Sequence, residues 1–280
     1  MMTYHDFWRR LAPVYDEREA KAVARTVYEV RYGLSLADLL MGRDAAVPQQ
    51  ELEQLAVRLE RQEPVQYVLG QSDFCGRTFC VEPGVLIPRP ETAELCRWVT
   101  AQHQGAPSRP RHPAVLDIGT GSGCIAVTLA LDLPGSHVTA WDVSPVALRV
   151  AARNARRLGA AVAVAGRDIL QPASPVAPRW DIIVSNPPYV CRGEAAGMQA
   201  NVLGYEPATA LFVPDDDPLQ FYRPIMHYAL SALHPRGHLY LEVNPRYAAC
   251  IAERLQALGF GGVTARSDQS GKTRFIKATR

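Results

Sequence analysis

Two short runs in this 280-residue chain carry residues that could do chemistry. The first is Asp117-Ile118-Gly119-Thr120-Gly121-Ser122-Gly123, directly after the apolar stretch AVL. The second is Asn186-Pro187-Pro188-Tyr189, directly after DIIVS. In each, an apparent β-strand runs into a segment whose backbone is unusual. Glycines let a backbone approach a ligand closely and take left-handed dihedrals. Two consecutive prolines do the opposite: they remove two amide donors and stiffen the chain.

The glycine run reads G-x-G-x-G. A dinucleotide fingerprint requires G-x-G-x-x-G, and Cys124 stands where its last glycine belongs. No lysine of a phosphate-binding loop follows either. The next strand, HVTAWDV, ends in Asp142, about twenty residues beyond the loop, where an acid can accept both hydroxyls of a ribose. After a third strand, VAVA, come Asp168 and Ile169, an acid and an apolar residue that suit an adenine amino group and ring face. No diphosphate is implied, so the expected ligand is a nucleoside with a non-phosphate tail.

Asn186 offers a side-chain carbonyl, and the Pro-Pro unit offers rigid backbone carbonyls with no competing amide hydrogens. Together these acceptors can grip both hydrogens of a planar NH₂ group, and Tyr189 can stack on its plane. Such a nitrogen is conjugated and a poor nucleophile. Holding its two hydrogens turns the lone pair outward. The motif does not choose among adenine, guanine and a glutamine side-chain amide, which all present such a group.

Elements must place both runs on one rim. From Ala114 onward strand and helix alternate, which implies a mostly parallel sheet covered on both faces. In such sheets ligands bind beyond the carboxyl ends of the strands. GSGCIAVTLALDL is expected to form a helix. Ser144-Pro145 opens another that closes at Gly159, and Asn244-Pro245 opens a third ending near Gly259. VTARSDQSGKTRFIKA reads as two strands around Ser-Gly, an antiparallel edge. SDFCGRTFCVEPG reads as a hairpin turning at Cys-Gly, LIPRPETAELCRWV as a proline-stiffened loop entering a helix near Pro90, and QGAPSRPRHP as a loop.

Residues up to about Leu69 are read as helical. Ala20, Val23, Ala24, Val27 and Tyr28 share one helical face, with Gly33 as the stop, and Leu52, Leu55, Ala56 and Leu59 share another.

Bulk properties exclude several classes. Net charge is +2, which gives no electrostatic footprint for a nucleic-acid partner. The six cysteines form neither a C-x-x-C pair nor a Cys/His cluster, so no metal is expected and free thiols in a reducing compartment are. MMTYHDFWRR has no apolar signal core, and no apolar run is long enough to span a bilayer, so a cytoplasmic location is expected.

The glycine loop, Asp142 and Asn-Pro-Pro-Tyr together resemble the class I S-adenosylmethionine-dependent methyltransferases, whose ligand has an amino-acid tail where a dinucleotide has its diphosphate. Over nearly the whole chain the sequence is similar to the HemK/PrmC family, the protein-(glutamine-N5) methyltransferases of peptide chain release factors. EPVQYVLGQSDFCGRTFCV, LIPRPET, LDIGTGSG, SNPPYV, YEPATALF and SDQSGKTRFIKA carry the similarity, and LIPRPET beside the two methyltransferase motifs is its most specific part.

That resemblance implies a class I Rossmann-like sheet with an antiparallel C-terminal strand and a five-helix N-terminal domain that grips the release factor. The expected divisions are 1–69 (helical docking domain), 70–112 (hairpin and linker helix) and 113–280 (methyltransferase domain). The methyl acceptor would be the glutamine of the Gly-Gly-Gln motif in class 1 release factors, and S-adenosylmethionine would leave as S-adenosylhomocysteine. Gly119, Thr120, Gly121, Ser122, Gly123, Asp142, Asp168, Ile169 and Asn186 would hold the cofactor. Asn186, Pro187, Pro188 and Tyr189 would hold the target amide and act on it. Pro88, Arg89 and Glu91 of LIPRPET would line the site wall. Glu91 and Glu206 suit either a structural or a functional role. Ala93 departs from the family, whose members often carry an acid there. A monomer is expected, and with a net charge of +2 no direct nucleic-acid contact. The competing readings are an adenine or guanine amino methyltransferase acting on DNA or RNA, and a binding module that keeps the fold without catalysis.

Overall fold

The computed structural model describes residues 2–104, 112–171 and 179–280. Most of the stretch QGAPSRPRHP, expected to be a loop, lies outside the described residues. The chain forms two compact units: residues 1–71 with 198–205, and residues 72–197 with 206–280.

The first unit contains α1 (Tyr4–Leu11), α2 (Glu17–Tyr32), α3 (Leu36–Leu40), α4 (Gln49–Glu60) and α5 (Val65–Leu69). Thr3, Asp16 and Ser35 cap the first three with side-chain oxygens, and Gly33 ends α2 in the left-handed region. Ala20, Ala24, Val27 and Tyr28 of α2 are buried against Phe7, Leu11, Leu52, Ala56 and Leu59. This is the apolar stripe that a 3.6-residue period lays along a helix. Arg10 of α1 bridges Glu53 and Glu60 of α4 at 2.6 Å each.

The second unit opens with the two-stranded sheet of β1 (Gln71–Phe74) and β2 (Arg77–Cys80). Cys75 and Gly76 turn the hairpin at φ of 49° and 71°, the paired positive dihedrals of a two-residue hairpin loop. Then follow α6 (Pro90–His103), β3 (Ala114–Ile118), α7 (Cys124–Asp132), β4 (His137–Asp142), α8 (Pro145–Leu158), β5 (Val162–Gly166), β6 (Trp180–Ser185) and β7 (Val190–Cys191). A short α9 (Ala200–Tyr205) belongs to the first unit, where the Tyr205 hydroxyl donates to the Arg61 carbonyl at 2.7 Å. The remaining elements are α10 (Ala208–Leu211), β8 (Phe212–Val213), α11 (Tyr222–Ala232), β9 (Leu233–Glu242), α12 (Ala248–Ala257), β10 (Gly261–Ser267) and β11 (Thr273–Thr279).

The main sheet runs β10-β11-β9-β6-β3-β4-β5. The five strands from β9 to β5 pair in parallel, and β11 pairs antiparallel with both β9 and β10. Successive strand residues point to opposite faces, so Val115, Ile182, Val184 and Tyr240 pack with Leu95, Ile125 and Leu129 of α6 and α7. Leu116, Ile118, Ile183 and Leu239 pack with Ile225 and Ile251 of α11 and α12 on the other face. Burial on both faces explains why these strands read as continuous apolar runs.

Three local expectations change. Helix α7 starts at Cys124, later than GSGCIAVTLALDL suggests, because Gly121 and Gly123 sit at φ of 54° and 81° and stay in the loop. Asn244-Pro245 opens a short 3₁₀ turn, with Asn244 accepting from Arg246 N, before α12 begins. Helix α11 has no counterpart in the sequence reading, although Tyr222, Ile225, Met226 and Ala229 are spaced as a helical stripe and buried. No helix among the described residues is long and apolar enough to cross a membrane.

Candidate active site

The sheet order sets the site. Strands β6, β3, β4 and β5 are adjacent, and their carboxyl ends lead into Asn186, Gly119, Asp142 and Asp168 respectively. Ile118 and Ser185 are register partners, so the glycine loop and Asn-Pro-Pro-Tyr leave the sheet side by side. The Ser185 hydroxyl donates to the Ile118 carbonyl at 2.7 Å and ties the two exits together.

The glycine loop is shaped by its neighbours on β4. Gly119 N and Thr120 N both donate to the Trp141 carbonyl at 2.9 Å. A Cβ on Gly123 would meet Ala151 Cα and Cβ on α8 at 3.0 Å, so this glycine serves close helix packing. A Cβ on Gly119 or Gly121 would meet nothing within 4 Å. Those two positions face open space.

Two carboxylates flank the loop. Asp142 accepts from Gly121 N and from Ser144 N, each at 2.9 Å, through different oxygens. Its orientation is therefore fixed by backbone, while each oxygen keeps a further lone pair. Asp117 is wholly buried; its Oδ2 accepts from Thr120 Oγ1 at 2.6 Å and Ala126 N at 3.2 Å, and its Oδ1 has no partner. Burial, with a smaller push from Asp142, raises its carboxyl to about 7 against these two hydrogen bonds. Ser122 is buried, with its hydroxyl oxygen unpartnered and its carbonyl accepting from Asn154 Nδ2 at 2.8 Å. A loop held against the Asp142 carboxylate disfavours a diphosphate and suits a ligand with hydroxyls and positive charge.

Asp168 closes its own turn, accepting from Leu170 N at 2.9 Å and Gln171 Nε2 at 3.3 Å, and Ile169 packs half-buried on the core.

Asn-Pro-Pro-Tyr is anchored from behind. Asn186 Nδ2 donates to Thr92 Oγ1 at 3.0 Å, and Thr92 Oγ1 donates to Glu242 Oε2 at 2.7 Å. The Tyr189 hydroxyl donates to Glu242 Oε1 at 3.0 Å and accepts from Arg274 at 3.4 Å. Arg274 in turn donates to Asp268 at 3.3 Å. Asp268 also accepts from Ser270 and Lys272, and these donors hold its carboxyl down at about 2. Glu242 ends β9 at 1% exposure; burial lifts its carboxyl to about 7, against the pull of Thr92, Tyr189 and Arg274. Burial and the Glu242 charge also push the Tyr189 phenol up. Asn244 Nδ2 donates to the Tyr189 carbonyl at 3.2 Å and fixes the exit of the motif.

LIPRPET is pinned by Glu206. Its side chain is buried and accepts from Ile87 N at 3.1 Å and from Arg89 at 2.5 Å. Arg89 thus fastens the loop to YEPATALF. Pro88 and Glu91 are half-buried, and Glu91 lies within electrostatic reach of Glu242. Pro90 begins α6 and puts Thr92 in its first turn.

Sequence reasoning missed Thr92, Glu242, Arg274 and Asp117 as site residues. Glu242 had a readable signal: it is an acid at the end of the apolar run HLYL, in a strand buried on both faces. Thr92 closes the LIPRPET motif, but its bond to Glu242 was not readable, because it depends on a strand 150 residues away.

Comparison with known proteins adds the following. Residues 7–70 match the PrmC N-terminal domain, and residues 105–203 match the methyltransferase small domain. A release factor glutamine methyltransferase of Bacteroides thetaiotaomicron is 42% identical over 96% of this chain and 96% of its own length. One from Flavobacterium psychrophilum is 39% identical over 97% of this chain and 95% of its own. Among solved structures, a methyltransferase from Pyrococcus furiosus superposes with a TM-score of 0.51 at 20% identity, over 72% of this chain and 87% of that one. The 16S rRNA N2 G1207 methyltransferase of Thermus thermophilus superposes with 0.52 at 20%, over 75% and 49%. These two establish the class I methyltransferase fold. The coverage and identity of the two sequence relatives establish more: the chain belongs to the release factor glutamine methyltransferase family.

Proposed function

We propose that this protein transfers a methyl group from S-adenosylmethionine to the side-chain amide nitrogen of a glutamine, the one in the Gly-Gly-Gln motif of class 1 release factors. The observation that carries the reading is the pairing of Ile118 with Ser185, which sets the glycine loop and Asn-Pro-Pro-Tyr side by side.

The residues present fit the cofactor. Gly119 and Gly121 present no side chain where the ligand approaches. The backbone-held Asp142 has lone pairs for two ribose hydroxyls, with Asp168 and Ile169 further along the same rim. The backbone-held Asp142 carboxylate beside the loop favours a sulfonium and an ammonium over a phosphate. Bound there, S-adenosylmethionine supplies a methyl on a positively charged sulfur.

The protein's own work is to orient and to stabilise charge. Asn186 Oδ1 and the Pro187 carbonyl accept the two hydrogens of the target amide, and Tyr189 lies against its plane. This grip turns the nitrogen lone pair out of conjugation. Orientation alone is worth roughly 7–11 kcal/mol when both reactants are held in line. The same carbonyl dipoles face the positive charge that grows on nitrogen, and they are already in place before reaction. The methylated nitrogen is acidic and sheds one proton to water, so no strong base is needed. The roles of Pro88, Arg89 and Glu91 follow from the pinned loop: it forms a fixed wall, with Glu206 as the pin.

The helical unit is read as the part that grips the release factor, and the protein as a cytoplasmic monomer working beside translation. The test is calorimetric titration of S-adenosylmethionine into wild type and Asp142→Ala, followed by turnover on unmodified release factor. Binding in wild type, weakened in the variant, with methyl transfer to glutamine, supports the reading. Unchanged affinity in the variant removes the placement of the ribose.

A further inference from the structure

We propose that Thr92 and Glu242 are positioning residues for the methyl transfer: they form a hydrogen-bond relay that fixes which end of the Asn186 side-chain amide faces the target. The inference rests on the reading that Asn186 Oδ1 accepts from the target amide.

The two ends of an asparagine amide have nearly the same shape, so packing alone does not choose between them. Donor and acceptor chemistry does. Ionised Glu242 has only acceptors. It takes Thr92 Oγ1 at 2.7 Å on one oxygen and the Tyr189 hydroxyl at 3.0 Å on the other. Thr92 has one hydroxyl proton, and Glu242 holds it. The Thr92 oxygen can then only accept, so the Asn186 atom 3.0 Å away is the NH₂ end. The carbonyl end, Oδ1, lies on the other branch and is left for the target. One buried carboxylate thereby sets both ends of the motif, Asn186 through Thr92 and Tyr189 directly.

Protonation inverts the relay. A protonated Glu242 can donate to Thr92 Oγ1, which frees the Thr92 proton for Asn186 Oδ1. The amide then turns its NH₂ toward the target, donor against donor, and the grip is lost. Atoms and protons balance with one proton taken from solvent, and no bond of the substrate is involved.

The groups around Glu242 set where this happens. Thr92 and Glu91 face it from α6, Tyr189 from the motif, and Arg274 from β11. Tyr222 of α11 donates to its backbone carbonyl at 3.1 Å. Arg274, itself held by Asp268, favours the ionised form; burial and Glu91 favour the protonated one, and burial is the larger effect. The carboxyl therefore titrates at about 7, and the ionised, correctly set form is lost as pH falls through that value.

The experiment uses the full chain, S-adenosylmethionine and unmodified release factor. Thr92→Ser keeps the hydroxyl and is expected to hold kcat within about threefold, whereas Thr92→Val, without a hydroxyl, loses about 10- to 100-fold in kcat. In both, cofactor affinity by calorimetry stays near wild type; the thermal midpoint is held in Thr92→Ser and falls in Thr92→Val, which takes a donor from a buried carboxylate. In wild type, log kcat falls with pH below about 7, and in Glu242→Gln that acid limb is absent. Thr92→Val with near-normal kcat, or an acid limb unchanged in Glu242→Gln, would overturn the relay. If Thr92→Val does not fold, the comparison of the two pH profiles decides. Asn186→Ala run in parallel separates the layers. If it is inactive while Thr92→Val is normal, the relay alone fails. If Asn186→Ala is itself active, the reading of Asn186 fails with it.

Discussion

Adding one methyl group at Gly123 and, separately, at Gly121 should give opposite outcomes for stability and binding. Both glycines have positive φ, 81° and 54°. An L side chain in that region costs about 1–2 kcal/mol at either position. At Gly123 the new Cβ also lands 3.0 Å from Ala151 Cα and Cβ. Neither atom is the end of a flexible side chain, so α8 itself must move. Overpacking of that kind adds about 1–3 kcal/mol. Gly123→Ala should therefore lose about 2–5 kcal/mol and Gly121→Ala about 1–2 kcal/mol. Urea unfolding followed by tryptophan fluorescence reads the difference, because Trp98, Trp141 and Trp180 all lie in the second unit and only Trp8 lies in the first. Binding should run the other way. At Gly121 the Cβ points into open space, which the proposed cofactor would fill, so S-adenosylmethionine affinity should fall at least about tenfold, a loss of about 1.4 kcal/mol, with the fold nearly intact. Equal stability losses at the two positions, or a Gly121→Ala protein that binds the cofactor normally, would refute the division of the loop into a packing glycine and a ligand glycine.

Asn186→Ala should reduce kcat to near background while its thermal midpoint stays within a few degrees of wild type, as melting curves and turnover on release factor would show. Glu206→Gln keeps the shape but weakens the grip on Arg89 and Ile87; the LIPRPET loop should become sensitive to limited proteolysis and KM should rise. Asp117 and Glu242 both have carboxyls raised to about 7 by burial, so the folded state binds more protons than the unfolded one between the ordinary carboxylate range and pH 7. Stability should fall as pH rises through that window, and Asp117→Asn should flatten the slope in urea titrations at stepped pH. A slope unchanged by the substitution would mean that Asp117 does not titrate there. Tyr205→Phe should destabilise the helical unit by about 1 kcal/mol through loss of the bond to the Arg61 carbonyl, measurable by urea unfolding in a background where Trp98, Trp141 and Trp180 are replaced by Phe and Trp8 alone reports.

Much of the sheet was legible because its strands are buried on both faces and therefore read as apolar runs closed by glycine or an acid. Ser144-Pro145 and Gly159 marked α8 at both ends, since capping chemistry is local. The start of α7 was misplaced because glycine is compatible with helix by pattern, and only its dihedrals exclude Gly121 and Gly123. Helix α11 was passed over although its stripe is regular, since Pro224 near its start reads as a breaker while it sits harmlessly in the first turn. In the site, the motif residues themselves were visible. What holds them was not: Thr92, Glu242 and Arg274 come from α6, β9 and β11, and only the antiparallel β9–β11 pairing and the packing of α6 bring them behind Tyr189. Residues 198–205 show the same limit, joining the helical unit from the middle of the other one.

The most direct measurement incubates the purified chain with S-adenosylmethionine and unmodified release factor and maps the products by peptide mass spectrometry. One added methyl on the Gly-Gly-Gln glutamine, absent with Asn186→Ala, is the predicted result. No methyl on that glutamine, with transfer to DNA or RNA in a parallel reaction, would leave the fold standing and contradict the proposed substrate.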